Sequence, residues 1–111
     1  MSDSGGPVGT GGGVSREVVV PNREGMHARP GMRFVDLAST FDCEVRVLNV
    51  TRQGDCVDGK SAMQIMLLEA VCGHTLRIDA RGADAREAVD ALAALVNNSF
   101  GMGDGAAGPG S

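Results

Sequence analysis

Tryptophan and tyrosine are absent from this 111-residue chain, and phenylalanine occurs three times. A surface that binds single-stranded nucleic acid needs aromatic rings on which bases stack, and the chain is too poor in them to build such a platform. Positive charge is in deficit as well. Ten basic residues stand against 14 acidic ones, for a formal net charge of −4, so there is no basic stripe to follow a phosphate backbone. Nucleic acid is therefore not expected as a partner. No apolar run approaches the roughly 20 residues of a membrane span, and the N-terminus lacks the apolar run of a secretory signal. No membrane insertion is expected, and the expected location is cytoplasmic. Cys43, Cys56 and Cys72 are odd in number, widely spaced and include no C-x-x-C pair. They suggest neither a disulfide framework nor a zinc site, and read as small, reduced, half-buried residues.

Glycine, by contrast, is plentiful at 17 residues, and it gathers at the ends. "MSDSGGPVGTGGG" (1–13) and "GMGDGAAGPGS" (101–111) offer almost nothing to bury. Segments of that kind cannot offset their ordering entropy, so both read as disordered tails. The stretch 14–100 is left as one domain with a small core.

Within it the apolar period changes several times. "REVVVP" (16–21) reads as a strand ended by Pro21. From Ala28, Phe34, Leu37, Ala38 and Phe41 recur at i, i+3, i+4 and i+7, which predicts a helix with Pro30 in its first turn. "CEVRVLNV" (43–50) alternates, with Val45 and Val47 inward and Glu44 and Arg46 outward. "DCVD" (55–58) returns as the second strand of a hairpin. "KSAMQIMLLEA" (60–70) predicts a short helix with Ile65 and Leu68 inward and Ala62, Met63 and Met66 on the opposite, more open side. "HTLRIDA" (74–80) alternates around Leu76 and Ile78. A last helix carries Ala85, Ala88, Leu92, Leu95 and Val96 on its apolar stripe, with Asp84 and Glu87 as a capping box. The order β-α-β-β-α-β-α predicts an α+β open-faced sandwich, a sheet covered by helices on one face.

The chemistry gathers at "GMHARPG" (25–31). His27 precedes the predicted helix, whose first N–H groups have no partner within the helix and favour an anion. A neutral imidazole nitrogen is a good nucleophile near neutral pH. Arg29 offers a forked cationic donor that matches phosphate oxygens. On these grounds alone His27 could accept a phosphoryl group, serve as a general base or cap the helix. No Ser-His-Asp grouping and no glycine-rich phosphate loop accompanies it. The other histidine, His74, reads as a solvent-facing turn residue.

"GMHARPGMRFVDLASTF", "VDGKSAMQIMLL" and "GHTLRIDARGADAREAVDAL" together closely resemble the HPr phosphocarriers of the phosphoenolpyruvate-dependent phosphotransferase system, over about residues 16–100. The resemblance implies an antiparallel four-stranded sheet covered on one face by three helices. It implies that His27 is the phosphoryl acceptor through Nδ1, that Arg29 assists the transfer and that Pro30 shapes the helix start. Ser61 matches a second, regulatory phosphorylation site, and Ala62, Met63 and Met66 match a partner-docking surface. Ala62 stands where a larger apolar residue is usual. "PGM", "FDCEV" and "NSFG" resemble the nitrogen-regulatory branch, whereas "GKS" is the pattern of members regulated on serine.

Three functions follow as expectations. The first is a phosphocarrier: a relay without a substrate pocket or cofactor, taking phosphate from enzyme I and passing it to enzyme II A domains in sugar transport or nitrogen regulation. A serine kinase or phosphorylase is a possible further partner, and a monomer is expected. The second is a regulatory binding module whose phosphorylation state controls an effector protein. The third is a small enzyme using His27 as a base, which lacks a catalytic partner group.

Overall fold

The computed structural model describes residues 13–101; residues 1–12 and 102–111, where almost all of the two expected tails falls, lie outside the described residues. The elements are β1 (Val14–Val19), α1 (Ala28–Ala38), β2 (Glu44–Asn49), β3 (Val57–Asp58), α2 (Ala62–Met66), β4 (Thr75–Arg81) and α3 (Ala85–Asn97), followed by a one-turn 3-10 helix (Ser99–Gly101). The four strands form one antiparallel sheet in the order β1-β4-β2-β3. This is the open-faced sandwich that the pattern predicts. No helix among the described residues is long and apolar enough to cross a membrane.

Alternation along each strand divides the sheet into two faces. Val18, Val45, Val47, Leu76 and Ile78 are buried beneath the helices. On the other face the register sets opposite charges side by side: Arg46 faces Asp79, Glu17 faces Arg77, and Glu44 faces Arg81. Arg46 also donates to Glu44 on its own strand at 2.8 Å, and that hydrogen bond raises the Arg46 pKa above its ordinary value. A broad hollow on this open face is lined by Ser15, Glu44, Arg46, Asp79 and Arg81 and contains no residue of α1.

Phe34 and Ala38 of the α1 stripe are fully buried, and Leu37 and Phe41 lie at its half-buried rim. In α3, Val89 and Ala93 join the expected stripe. Phe100 is also fully buried although its φ is +59°. Such a backbone costs a bulky residue of order 1–3 kcal/mol, and burial of the ring holds it there.

Several expectations are corrected. The second helix is five residues long rather than the predicted 60–70. After Met66 the bonds tighten to i→i+3 (Leu67 to Gln64, Leu68 to Ile65, Glu69 to Met66), and Glu69 ends the turn at φ +49°. Strand β1 starts at Val14 rather than Arg16, because Val14 and Ser15 pair with Ala80 and Asp79. The returning strand shrinks to Val57–Asp58. Asp84 precedes α3 but makes no side-chain cap; its Oδ2 instead accepts the Asp42 N–H at 2.7 Å, which ties the entrance of α3 to the loop before β2. Only Cys43 is half-buried, and Cys56 and Cys72 are exposed. Burial pushes the Cys43 thiol up, partly opposed by Lys60.

The Phe100→Ala variant should lose about 3–5 kcal/mol of folding stability, read as a lower urea midpoint with an unchanged slope. Loss of less than about 1 kcal/mol would mean that the terminal turn is not part of the core.

Candidate functional site

His27 stands immediately before α1, with extended backbone at φ −93° and ψ 153°. It is exposed, and its side chain makes no capping hydrogen bond. The first turn of α1 contains no acidic residue. The positive end of the helix dipole thus receives no negative charge from the chain's own first turn. Arg29, the second helical residue, is exposed beside it. Pro30, the third, is buried; its missing N–H costs nothing in a first turn.

His27 is held outward because the residue before it is held inward. Met26 is 1 % exposed, and its N–H donates to the Ala70 carbonyl at 3.0 Å. The preceding turn is closed twice: the Gly25 N–H donates to the Asn22 carbonyl at 3.2 Å, and Asn22 Nδ2 donates to the Gly25 carbonyl at 2.8 Å. Asn22 itself is fully buried. Gly25 has φ +68°, and a Cβ there would lie 2.3 Å from the Ala70 oxygen and 2.8 Å from Val71 Cα. Only glycine meets both demands.

The same closeness joins α1 to α2. A Cβ on Gly31 would lie 2.6 Å from the Met26 oxygen and 2.7 Å from Met66 Cε. Of the three residues expected on the open side of α2, Met63 is 78 % exposed, whereas Ala62 and Met66 are half-buried and pack against the core. Leu67, Met32 and Val71 are exposed apolar residues that the sequence reading did not single out. Their signal was available by exclusion. Met32 falls off the Phe34–Leu37–Ala38–Phe41 stripe, and Leu67 falls off the Ile65–Leu68 face.

Ser61 is the N-cap of α2, half-buried, with its Oγ accepting the Gln64 N–H at 3.2 Å. Neighbouring Lys60 extends its Nζ to the Phe41 carbonyl at 2.8 Å. His74 is not the solvent-facing turn residue expected: it is half-buried, and its Nδ1 lies 3.1 Å from Asn49 Nδ2 and 3.4 Å from the Val71 N–H. Among the described residues no group of three or more His, Cys, Asp or Glu side chains is placed to hold a metal ion.

Residues 14–98 match the family model for the PTS HPr component phosphorylation site. The chain belongs to the HPr family. Members of that family are the phosphocarriers of the phosphotransferase system, and relatives of both HPr and NPr type are similar to this chain. The phosphocarrier protein HPr of Pseudomonas aeruginosa is 40% identical over 88 residues, which are 79% of this chain and 96% of that protein. The phosphocarrier protein NPr of Proteus mirabilis is 38% identical over 85 residues, 77% of this chain and 92% of that one. Among solved structures, an HPr from Thermoanaerobacter tengcongensis is similar at a TM-score of 0.75 with 34% identity, covering 80% of this chain and 97% of that one. The fold of this chain is thus the HPr fold.

The glycine before Met26 gives a direct test. Gly25→Ala should cost about 1–3 kcal/mol through its strained backbone and should speed hydrogen exchange of the Met26 amide. Gly54→Ala has open space at its Cβ and should change stability by no more than about 0.5 kcal/mol. Equal stability of the two variants in urea would contradict the close fit at residue 25.

Proposed function

We propose that His27 is the phosphoryl acceptor of this chain, taking the group from phospho-enzyme I on Nδ1 and passing it to an enzyme II A domain of the sugar or the nitrogen-regulatory branch. The observation that carries the reading is an exposed imidazole at an uncompensated helix N-terminus, in a chain of the HPr family. The Nδ1 lone pair attacks phosphorus. The N–P bond forms as the bond to the donor breaks, and that bond's electron pair leaves with the donor. Attack by the tautomer with its proton on Nε2 leaves the ring cationic as the N–P bond forms, and the ring takes that electron pair back when the acceptor attacks phosphorus. Transfer of this kind depends on positioning and charge stabilisation more than on a cavity, and one exposed histidine can meet two partners in succession. Arg29 stabilises the oxygens with its forked donors, and Pro30 sets the first turn that aims the free N–H groups.

Ala62, Met63 and Met66 form the docking surface in this reading, joined by exposed Met32 and Leu67. Flexible thioether side chains suit a surface that fits several partners. Ser61 is a regulatory phosphorylation site for a serine kinase and phosphorylase. Its place as the N-cap of α2, two residues before Met63, supports this. A phosphoserine would bring about −1.5 to −2 charges to the edge of the docking surface. The protein acts in the cytoplasm as a monomer, without a cofactor, and residues 14–100 form its working domain between two glycine-rich tails.

Incubation with enzyme I and labelled phosphoenolpyruvate should place an acid-labile, base-stable phosphate on the chain, and His27→Ala should remove it without unfolding the protein. Labelling of the alanine variant at the wild-type rate would overturn the assignment. Arg29→Lys keeps the charge but loses the planar fork; it should raise the transfer barrier by about 2–4 kcal/mol, and an unchanged rate would exclude Arg29 from the site.

For Ser61, the Asp variant should accept phosphate from enzyme I more slowly than the Ala variant, because the added carboxylate burdens an apolar docking surface with desolvation. Equal rates, with wild-type protein left unmodified by cellular serine kinases, would leave Ser61 as a helix cap alone.

A further inference from the structure

Segment 68–74, between α2 and β4, is the platform on which the His27 loop rests. Ala70 accepts the Met26 N–H, and Gly25 lies directly on Ala70 and Val71. The end of β1 that leads into the loop is tied to the same segment. The Val20 N–H donates to the His74 carbonyl and the Gly73 N–H to the Val20 carbonyl, both at 2.9 Å. The position of His27 therefore depends on what holds segment 68–74, which begins where the short helix α2 closes through tightened turns at a left-handed Glu69.

Asn49 of β2 holds it from the opposite side, and His74 within the segment is its side-chain partner. Asn49, at the end of β2, is 1 % exposed. Its Oδ1 accepts the Arg52 N–H at 3.2 Å, and its Nδ2 donates to the Leu68 carbonyl at 3.0 Å. These two backbone partners fix which end of the amide is nitrogen. Nδ2 then turns its other hydrogen towards His74 Nδ1 at 3.1 Å, so Nδ1 must be the acceptor. The Val71 N–H points to the same nitrogen at 3.4 Å and agrees. His74 is thus fixed as the tautomer with its proton on Nε2. A further tie runs in parallel, where the Arg52 guanidinium reaches the Glu69 carboxylate at 2.9 Å.

We infer that Asn49 and His74 are positioning residues for phosphoryl transfer: their paired side chains lock segment 68–74 and, through the Ala70–Met26 hydrogen bond, set where His27 stands. The inference rests on His27 being the phosphoryl acceptor. Neither residue touches the imidazole of His27 in the bonds that define this node. They act through the backbone, in a region where a displacement of about 1 Å can cost roughly 100-fold in rate.

The test compares wild type, His74→Leu and His74→Asn in transfer from phospho-enzyme I, with amide exchange and urea unfolding measured on each. His74→Leu removes the acceptor, whereas His74→Asn places an oxygen near the position of Nδ1. His74→Leu should lower the maximal transfer rate by about 10- to 100-fold, with little change in the concentration for half-maximal rate because Met63 and Leu67 are untouched. It should also speed exchange of the Met26 amide more than that of Ile78 in the sheet. His74→Asn should restore most of both. Wild-type transfer by His74→Leu, or an Asn variant no better than the Leu variant, would overturn the inference while leaving His27 as acceptor. If wild type takes no label and His27→Ala behaves the same, the acceptor reading fails, and positioning for transfer fails with it. Should His74→Leu not fold, nitrogen-correlated NMR of the His74 ring in wild type decides: an unprotonated Nδ1 supports the lock, and a proton on Nδ1 overturns it.

Discussion

The site depends on the anchoring of Met26. Its side chain is buried and its N–H is spent on the Ala70 carbonyl, so the chain must emerge from the core one residue later, at His27. In the role proposed for His27, a nucleophile that serves two partners has to be exposed, yet phosphoryl transfer also needs it held in place. Burying the preceding residue meets both demands, because the exposed residue inherits a fixed backbone. Gly25 and Gly31 make the anchor possible. At each, a Cβ would collide with backbone atoms or with Met66.

The sheet supplies the frame. One face is apolar and covered by α1, α2 and α3. The other carries charges of opposite sign in facing positions and needs no cover. Apart from Val19 at the end of β1, the large apolar side chains that reach solvent stand on the helices and the turns beside them. Met63 and Leu67 stand out from α2 and the turn that follows it, and Met32 stands out from α1. A broad hollow of the surface lies on the charged face, away from α1.

The loop between β2 and β3 begins with a tight turn. Gln53 sits at φ +55° in a turn closed by the Gln53 N–H to the Val50 carbonyl and the Gly54 N–H to the Asn49 carbonyl. Asn49 follows Val45 and Val47 in the two-residue alternation of β2, so its polar side chain faces inward on their side. An amide buried there must satisfy its hydrogen-bonding groups within the protein, and it does so against Leu68, Arg52 and His74.

Much of this was legible in the residues. Alternation marked β2 and β4 and an apolar stripe marked α1 and α3, since a sheet with one buried face must alternate and a helix over it must carry a stripe; a valine run ended by Pro21 marked β1, and the turn around Gly54 marked β3 as a returning strand. The "HARP" stretch placed a histidine and an arginine at a helix start, because proline tolerates that position and few others in a helix. What the residues could not settle were choices made by partners distant in sequence. Asp84 gave up its capping role to hold the Asp42 N–H across 42 residues. Glu69 ended α2 early although leucines favour continuing a helix. His74, read as a turn residue, became half of a buried lock only because β2 brings Asn49 beside it, 25 residues away along the chain. Local pattern determined which segments form elements and which end of α1 bears the histidine. Tertiary structure decided which polar groups meet, because a hydrogen bond at 3 Å depends on the packing of the whole sheet.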